Sequence, residues 1–313
     1  MKRINSKIKI LLITGFLGSG KTTLINRLID FYKSKKIALI INDFGKIVVD
    51  GTLLRNQFGD QKSTVYEIAN GSIFCTCLSA ELVKSLNYFI NINPEIVIIE
   101  TSGLSDPSTF QKILTDNKLY DFYTIANSIC TIDSTNVLHL SKKIIAIEKQ
   151  ILSSNLILIN KSDLISEKEY QKIEEFVKSK NKNSDIIKSE YAEFNLELLK
   201  NKSSIKFLDD AVTCNTVSTR PGSILLKQKE ITLIEIEKFY TKISKYLLRI
   251  KGFLKIKNES YYISDNHRKL QIKKFNKNKI TKYGLSVLLN KNYIPIVEKE
   301  WNNFDNSVNK LRG

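Results

Sequence analysis

Cysteine and histidine are scarce in this chain of 313 residues, which contains four cysteines and two histidines. So few cysteines, without a dense framework, argue against a small secreted fold stapled by disulfide bonds. Cys130 lies in an apolar run and is expected to be an ordinary core residue. His139 and His267 each stand alone in the sequence, so neither predicts a catalytic or metal-binding cluster.

Long apolar runs are also missing, because no stretch approaches the length of a membrane span. The basic start, Met1-Lys2-Arg3, is followed by an apolar run over 8–16 that is reminiscent of a signal peptide. However, no cleavage site of small residues follows that run. We therefore expect a cytoplasmic protein that does not engage a membrane.

Acidic residues are outnumbered, and the formal net charge is +17. The excess is concentrated from Arg220 to Gly313, where there are 21 Lys and Arg and 8 Asp and Glu. A basic region of this kind is either a solvated surface or a surface for an acidic macromolecule. No RNA-binding signature or aromatic stacking pattern accompanies the charge, so a nucleic-acid partner is not expected.

The most informative stretch is Gly15–Thr23, which fits the phosphate-binding pattern G-x-x-x-x-G-K-[ST]. An apolar strand is predicted before it and an amphipathic helix after it, so backbone N–H groups and the helix N-terminus would converge on phosphate oxygens. Lys21 would neutralise the β- and γ-phosphates, and the Thr22 hydroxyl would ligate Mg²⁺. The residues predicted to bind the nucleotide here are Gly15, Gly18, Ser19, Gly20, Lys21, Thr22 and Thr23.

Acidic residues follow two other predicted strands, at the edge where α/β folds bind ligands. Glu100 ends an apolar strand and is expected in the Mg²⁺ shell or in the orientation of water, with the Gly103 N–H sensing the γ-phosphate. Asp43 lies in a predicted turn, Asn42-Asp43-Phe44-Gly45, that follows the strand over 37–41, and it is assigned either to Mg²⁺ through water or to holding that turn. The predicted catalytic residues are thus Lys21, Glu100 and Gly103, and the predicted Mg²⁺ ligands are Thr22, Asp43 and Glu100.

A further strand leads into Asn160-Lys161-Ser162-Asp163, the N-K-x-D pattern that reads guanine. The Asp163 carboxylate would accept hydrogen bonds from the guanine N1–H and its 2-amino group, a donor pair that adenine does not offer. Asn160, Lys161 and Asp163 are therefore predicted to select GTP over ATP. The pattern also disfavours a P-loop kinase for small molecules.

Periodicity predicts an α/β fold with a mostly parallel sheet in a P-loop GTPase domain over 1–212. A smaller α+β domain is predicted over 213–313, after a change in composition. Strands are expected over 7–14, 37–41, 65–68, 95–100, 123–133, 156–159 and 185–189, then 223–226, 253–256, 261–264, 270–275 and 285–289. Helices are expected over 24–32, 80–90, 138–151, 234–248 and 294–311.

Together these stretches resemble the CobW-type GTPase metallochaperones, relatives of the nickel-inserting hydrogenase and urease accessory GTPases. The resemblance is carried by Gly15–Thr23, by Asn42–Gly45 with Asp50, by the stretch from Glu67 to Cys75, and by Glu100-Thr101-Ser102-Gly103-Leu104-Ser105-Asp106-Pro107. Asn160–Asp163 and Leu247–Gly252 also match. The resemblance implies GTP and Mg²⁺ as cofactors, slow GTP hydrolysis without a client, and a client metalloprotein or corrinoid protein as partner. It also allows a homodimer.

The predicted metal loop departs from that family. The family motif reads Asn-Gly-Cys-x-Cys-Cys, whereas this chain has Asn70-Gly71-Ser72-Ile73-Phe74-Cys75-Thr76-Cys77. Two thiolates two residues apart bind a soft or borderline metal when further ligands are supplied. Cys75 and Cys77 are accordingly assigned to Zn²⁺, Co²⁺ or a corrinoid, with the alternative that they only pack near the switch loops.

The sequence thus predicts a GTP-hydrolysing metal or corrinoid chaperone whose nucleotide state is coupled to delivery to a client. The alternative is a metal-free, GTP-dependent regulatory switch that binds a macromolecule through its basic C-terminal domain.

Overall fold

The computed structural model describes residues 7–43, 64–69, 79–142, 144–200, 222–266, 269–275, 280 and 283–309. The chain divides into two compact units, whose described parts run from 7 to 200 and from 222 to 309. The domain boundary that we predicted after residue 212 lies outside the described residues and stays a prediction.

The first unit is built on a seven-stranded sheet in the order β3-β2-β4-β1-β5-β6-β7, and every neighbouring pair is parallel. Its strands are β1 (Ile8–Thr14), β2 (Ile37–Asp43), β3 (Thr64–Ala69), β4 (Ile96–Glu100), β5 (Tyr123–Asp133), β6 (Leu156–Asn160) and β7 (Asp185–Lys188). Its helices are α1 (Lys21–Phe31), α2 (Ser79–Ile92), α3 (Phe110–Asp116), α4 (Val137–Leu140), α5 (Ile145–Leu152) and α6 (Glu167–Lys180).

The central strands of this sheet are buried on both faces, as their continuous Ile, Leu and Val content requires. One apolar cluster joins strand residues such as Ile10 and Val97 to Leu86 and Phe89 of α2. A second cluster joins Ile132 and Ile157 to the helices on the other flank. Because helices cover both faces, ligands have access at the carboxyl ends of the strands.

The second unit contains an antiparallel five-stranded sheet in the order β11-β10-β9-β12-β8. The strands are β8 (Gly222–Lys227), β9 (Leu247–Ile256), β10 (Glu259–Asn266), β11 (Lys269–Phe275) and β12 (Gly284–Leu289), with helices α7 (Leu233–Ile243) and α8 (Ile294–Asn309). The two helices meet through Phe239 and Trp301, whose ring centroids are 4.9 Å apart. The predicted α+β class of this region is confirmed.

Two predicted helices differ from those in the structure, one because it is interrupted and the other because it ends early. The helix expected over 138–151 is divided into α4 and α5, with a turn at Ser141. The helix expected over 234–248 ends at Ile243, because Leu247 and Leu248 already belong to β9 and Leu247 pairs with Leu289 of β12. Short runs of Ile and Leu satisfy either periodicity, so sheet pairing decided the second case.

The predicted turn at Asn42 and Asp43 is also corrected, since both residues lie within β2 and pair with β3. Among the described residues, no helix combines the length and apolar character needed to cross a membrane.

Candidate nucleotide-binding site

The phosphate loop connects β1 to α1, and its glycines adopt left-handed or related backbone conformations. Gly15, Gly18 and Gly20 have φ of 132°, 76° and 108°. A Cβ on Gly15 would lie 2.2 Å from the Thr131 carbonyl oxygen, and one on Gly20 would lie 2.3 Å from Nδ2 of Asn160. Glycine is therefore needed at both positions for conformation and for space. The curl that results is the shape a phosphate group requires.

Lys21 begins α1 and directs its ammonium back into this loop. Its Nζ donates to the carbonyl oxygens of Gly15 at 3.0 Å and Phe16 at 3.3 Å, and it lies 4.0 Å from Oε1 of Glu100. The lysine is 6% exposed. A buried positive charge attracts an anion strongly. Thr22 is half-buried and Thr23 is exposed in the same first turn of the helix.

The loop is anchored beneath by hydroxyl groups. The Ser19 and Thr131 hydroxyls lie 2.7 Å apart, and Thr131 Oγ1 donates to the Thr14 carbonyl oxygen at 3.3 Å. Through these contacts, Ser19 attaches the phosphate loop to β5 and, by way of Thr131, to β1. Thr131 was missed by sequence reasoning, and its only signal was a hydroxyl within an apolar strand.

Glu100 and the segment after it form the second side of the site. Glu100 ends β4 and is 4% exposed, next to Lys21. The Thr101 hydroxyl donates to the Thr14 hydroxyl at 3.1 Å, which ties this segment to β1. Gly103 packs on the phosphate loop so closely that a Cβ would lie 2.6 Å from the backbone nitrogen of Leu17. Asp106 accepts hydrogen bonds from the Ser108 backbone and hydroxyl, which shapes the turn after the segment.

The predicted Mg²⁺ ligands come from elements that end at one edge of the sheet. Glu100 and Ile41 are register partners on β4 and β2, and Asp43 ends β2. Thr22 lies in the helix that starts at the same edge. Hydroxyl and carboxylate oxygens are the hard donors that Mg²⁺ prefers. The residues present therefore fit a nucleotide with bound Mg²⁺. For Asp43, the structure describes only the backbone.

Asn160 ends β6, and both ends of its amide are used within the protein. Nδ2 donates to the Ser19 carbonyl oxygen at 2.8 Å, and Oδ1 accepts from the Ala192 N–H at 2.9 Å. Asn160 thus connects the phosphate loop to the loop after β7. Its predicted role in nucleotide binding is an indirect one in this geometry, through the positions of those two loops.

Lys161 and Asp163 lie on the surface side of the same motif. Lys161 has φ of 61°, its Nζ lies 2.7 Å from Oδ2 of Asp133, and its carbonyl oxygen accepts from the Ser134 hydroxyl at 2.9 Å. Asp163 is exposed in the 3-10 turn Ser162–Leu164. The Asp133 contact was not predicted, although a carboxylate at the end of β5 is the same signal that pointed to Glu100.

A loop over 189–193 completes this corner. The Ser162 hydroxyl donates to the Ser189 carbonyl oxygen at 2.9 Å. Arg27 of α1 donates to the Tyr191 carbonyl oxygen at 3.0 Å and reaches Glu193 at 3.2 Å. Helix α1, which starts at the phosphate loop, thereby also contacts the loop that follows β7.

The cysteines divide between the core and the part of the chain that is not described. Cys130 is 2% exposed, as predicted for a core residue, and burial raises the pKa of its thiol to about 12, with a smaller opposing effect of Lys21. Cys75 and Cys77 lie outside the described residues. Within the described residues, no group of three or more His, Cys, Asp or Glu side chains is arranged to hold a metal ion.

Comparisons with known proteins show what the chain is similar to. The family model described as CobW/HypB/UreG, nucleotide-binding domain matches residues 9–188. The zinc chaperone YjiA of Escherichia coli (strain K12) is 28% identical over 242 residues, which cover 74% of this chain and 72% of that protein. Zinc-regulated GTPase metalloprotein activator 1 of Dictyostelium discoideum is 30% identical over 217 residues, covering 58% of this chain and 46% of that protein.

Among solved structures, zinc-bound YjiA GTPase from E. coli has a TM-score of 0.48 and 18% identity, covering 95% of this chain and 99% of that chain. The chain spans less than half the length of the Dictyostelium relative. The family match extends over more than half of the chain, from the strand before the phosphate loop to the end of β7. The chain therefore belongs to the CobW/HypB/UreG family and is a P-loop GTPase.

Proposed function

We propose that the protein is a metallochaperone that couples GTP binding and hydrolysis to delivery of a metal ion to a client metalloprotein. The observation that carries the nucleotide part is the Asn160 bridge, which joins the phosphate loop to the loop beside the guanine motif. Because one side chain spans both halves of the site, phosphate and base binding would reinforce each other.

In the proposed cycle, each group of the site has one task. Lys21 neutralises the β- and γ-phosphates, and the loop glycines supply N–H donors to phosphate oxygens. Thr22, Asp43 and Glu100 would hold Mg²⁺, and the ion would supply positive charge to stabilise the phosphates during hydrolysis. Asp163 accepts the guanine donors, and the Asp133 carboxylate keeps Lys161 in place beside them.

The cargo is assigned from the relatives and from the cysteine pair. Both relatives are named for zinc, and Zn²⁺ is a borderline ion that binds thiolates. We therefore assign Zn²⁺ ahead of Co²⁺ or a corrinoid to Cys75 and Cys77. Nucleotide hydrolysis would change the metal site through the segments that follow β2 and β4, as the switch segments of other GTPases change after hydrolysis.

The test is a titration of Zn²⁺ and Co²⁺ into the protein, with and without a non-hydrolysable GTP analogue and Mg²⁺. The variants are Cys75→Ser with Cys77→Ser, and the matched control is Cys214→Ser. We expect thiolate charge-transfer absorption with Co²⁺ that is lost only in the double variant. Coupling is reciprocal, so the metal must alter affinity for the GTP analogue by the factor by which the analogue alters metal affinity.

Equal metal binding by the double variant and the wild type would overturn the cysteine assignment. Metal affinity that does not respond to the nucleotide would overturn the coupling. A wild-type protein that binds GTP but no metal at micromolar concentrations would favour the metal-free switch.

A further inference from the structure

Gln150 is a buried amide on α5, and both of its donors are directed at the segment that follows Glu100. The residue is 1% exposed. Its Nε2 donates to the carbonyl oxygen of Gly103 at 3.2 Å and to that of Ser105 at 3.1 Å. A primary amide has two N–H donors, so the hydrogen-bonding capacity of this nitrogen is used in full on one segment.

The segment Thr101–Asp106 is buried throughout and is held from two sides. On one side Gly103 packs against Leu17 of the phosphate loop, with no space for a Cβ. On the other side lies Gln150. Within the segment, the Ser102 and Ser105 hydroxyls are 2.8 Å apart. Because glycine has wide backbone freedom, the peptide planes on either side of Gly103 depend on such contacts for their orientation.

We propose that Gln150 is a positioning residue: by holding the carbonyl oxygens of Gly103 and Ser105, it fixes the path of the segment so that the Gly103 N–H, in the preceding peptide unit, can meet the terminal phosphate of GTP. This inference rests on the proposed role of Gly103 as the γ-phosphate sensor. In this proposal, Gln150 increases the preference of the protein for GTP over GDP. It does not contribute to the contacts that both nucleotides make. GDP lacks the terminal phosphate but has the same α- and β-phosphates and the same base, so its binding is not expected to depend on the Gly103 N–H.

The position of Gln150 in the chain adds a second consequence. α5 ends at Leu152, and β6 follows at Leu156 and leads directly into Asn160. One short stretch of chain therefore carries both the support of the γ-phosphate segment and the start of the guanine motif. Displacement of the Gly103 segment after hydrolysis would be transmitted to the base site through this stretch.

The test replaces the amide with an isosteric group that lacks the donors. Gln150→Glu directs a carboxylate at two carbonyl oxygens, whereas the control Gln171→Glu changes an exposed glutamine of α6. Affinities for GDP and for a non-hydrolysable GTP analogue are measured with Mg²⁺ at pH 8, together with kcat and KM for GTP. We expect the preference for the analogue over GDP to fall at least about fivefold, since a lost buried hydrogen bond has effects of this order. We expect kcat to fall as well, with GDP affinity unchanged.

The pH dependence provides a readout that a purely structural role would not produce. A glutamic acid between two carbonyl oxygens can donate one hydrogen bond when it is protonated. The deficit of Gln150→Glu relative to wild type should therefore shrink as the pH falls from 8 to 6. Gln150→Met, which keeps the length and has no ionisable group, should show the same loss at every pH. It also serves as the test if the glutamate variant does not fold.

Folded variants with an unchanged preference for the analogue over GDP would overturn the proposal. So would equal losses of affinity for GDP and the analogue, because these indicate a general effect on the fold. If the wild-type protein binds neither nucleotide, the proposed function itself fails, and that outcome is recognised before any variant is compared.

Discussion

Gly20 and Asn160 occupy adjoining space, so that a Cβ on Gly20 would lie 2.3 Å from Nδ2 of Asn160. The phosphate loop and the guanine motif are therefore in direct contact, although Gly20 and Asn160 are 140 positions apart in the chain. Because of this contact, a substitution in either half of the site is expected to disturb the other half. The first prediction follows from that coupling.

We expect Gly20→Ala to weaken GTP binding by more than about tenfold, because the methyl group displaces the Asn160 amide and φ of 108° strains any side chain. Asn160→Ala should cause a similar loss. Since both variants break the same contact, the double variant should be little worse than either one. Calorimetric titration with GTP checks this, and additive losses would contradict it.

Lys21→Ala should abolish GTP binding or turnover while the fold is retained. The ammonium is the buried cation closest to the expected phosphates, and without it the Glu100 carboxylate would repel them. The measurement is GTP turnover together with the circular dichroism of the variant. Lys35→Ala is the control, because Lys35 forms an exposed ion pair with Glu95. GTP affinity and turnover equal to wild type would show that this loop is not the phosphate site.

Asp163→Asn should weaken GTP binding by more than about tenfold and should partly restore binding to xanthosine triphosphate. An amide mismatches one of the two guanine donors, while it can donate to the extra carbonyl of xanthine. Competition between labelled GTP and the other triphosphates provides the measurement. Asp185→Asn, at the exposed start of β7, is the matched control. A wild-type protein that prefers ATP would refute the base assignment.

The Cys130 thiol should make the free energy of unfolding depend on pH in the alkaline range. Its pKa rises from 9.0 to about 12 through burial, so the folded state retains a proton that the unfolded state loses above pH 9. The stabilisation is complete below pH 9 and declines as the pH rises toward 12. Relative to Cys130→Ala, the wild type should lose about 1 kcal/mol between pH 8 and pH 10.

Urea unfolding of both proteins at several pH values measures that difference. A parallel pH dependence of the two proteins would mean that Cys130 ionises as readily in the folded state as in the unfolded one. Peptide mapping after alkylation at pH 8 gives an independent check, in which Cys130 should react only after unfolding.

Much of the fold was predictable because the first unit consists of buried parallel strands with a strong local signal. The strand predicted over 123–133 matches β5, and those predicted over 156–159 and 185–189 differ from β6 and β7 by a single residue. The GTPase assignment, made from the phosphate loop and the guanine motif, is confirmed by the family match. The family resemblance, which rested also on stretches such as Glu100–Pro107, is confirmed by the same match. The roles of individual site residues stay predictions, as does the cysteine metal site.

By itself, the sequence determined the features that depend only on neighbouring residues. These are the glycine loop, the polar ends of apolar strands and the guanine tetrapeptide. Only the tertiary structure decided which distant groups meet, such as Asn160 with Ser19, Lys161 with Asp133 and Gln150 with Gly103. It also decided that Leu247 and Leu248 form a strand. The physical reason is that hydrogen bonds between distant segments depend on how the elements pack, and packing leaves no periodic trace in the sequence around either partner.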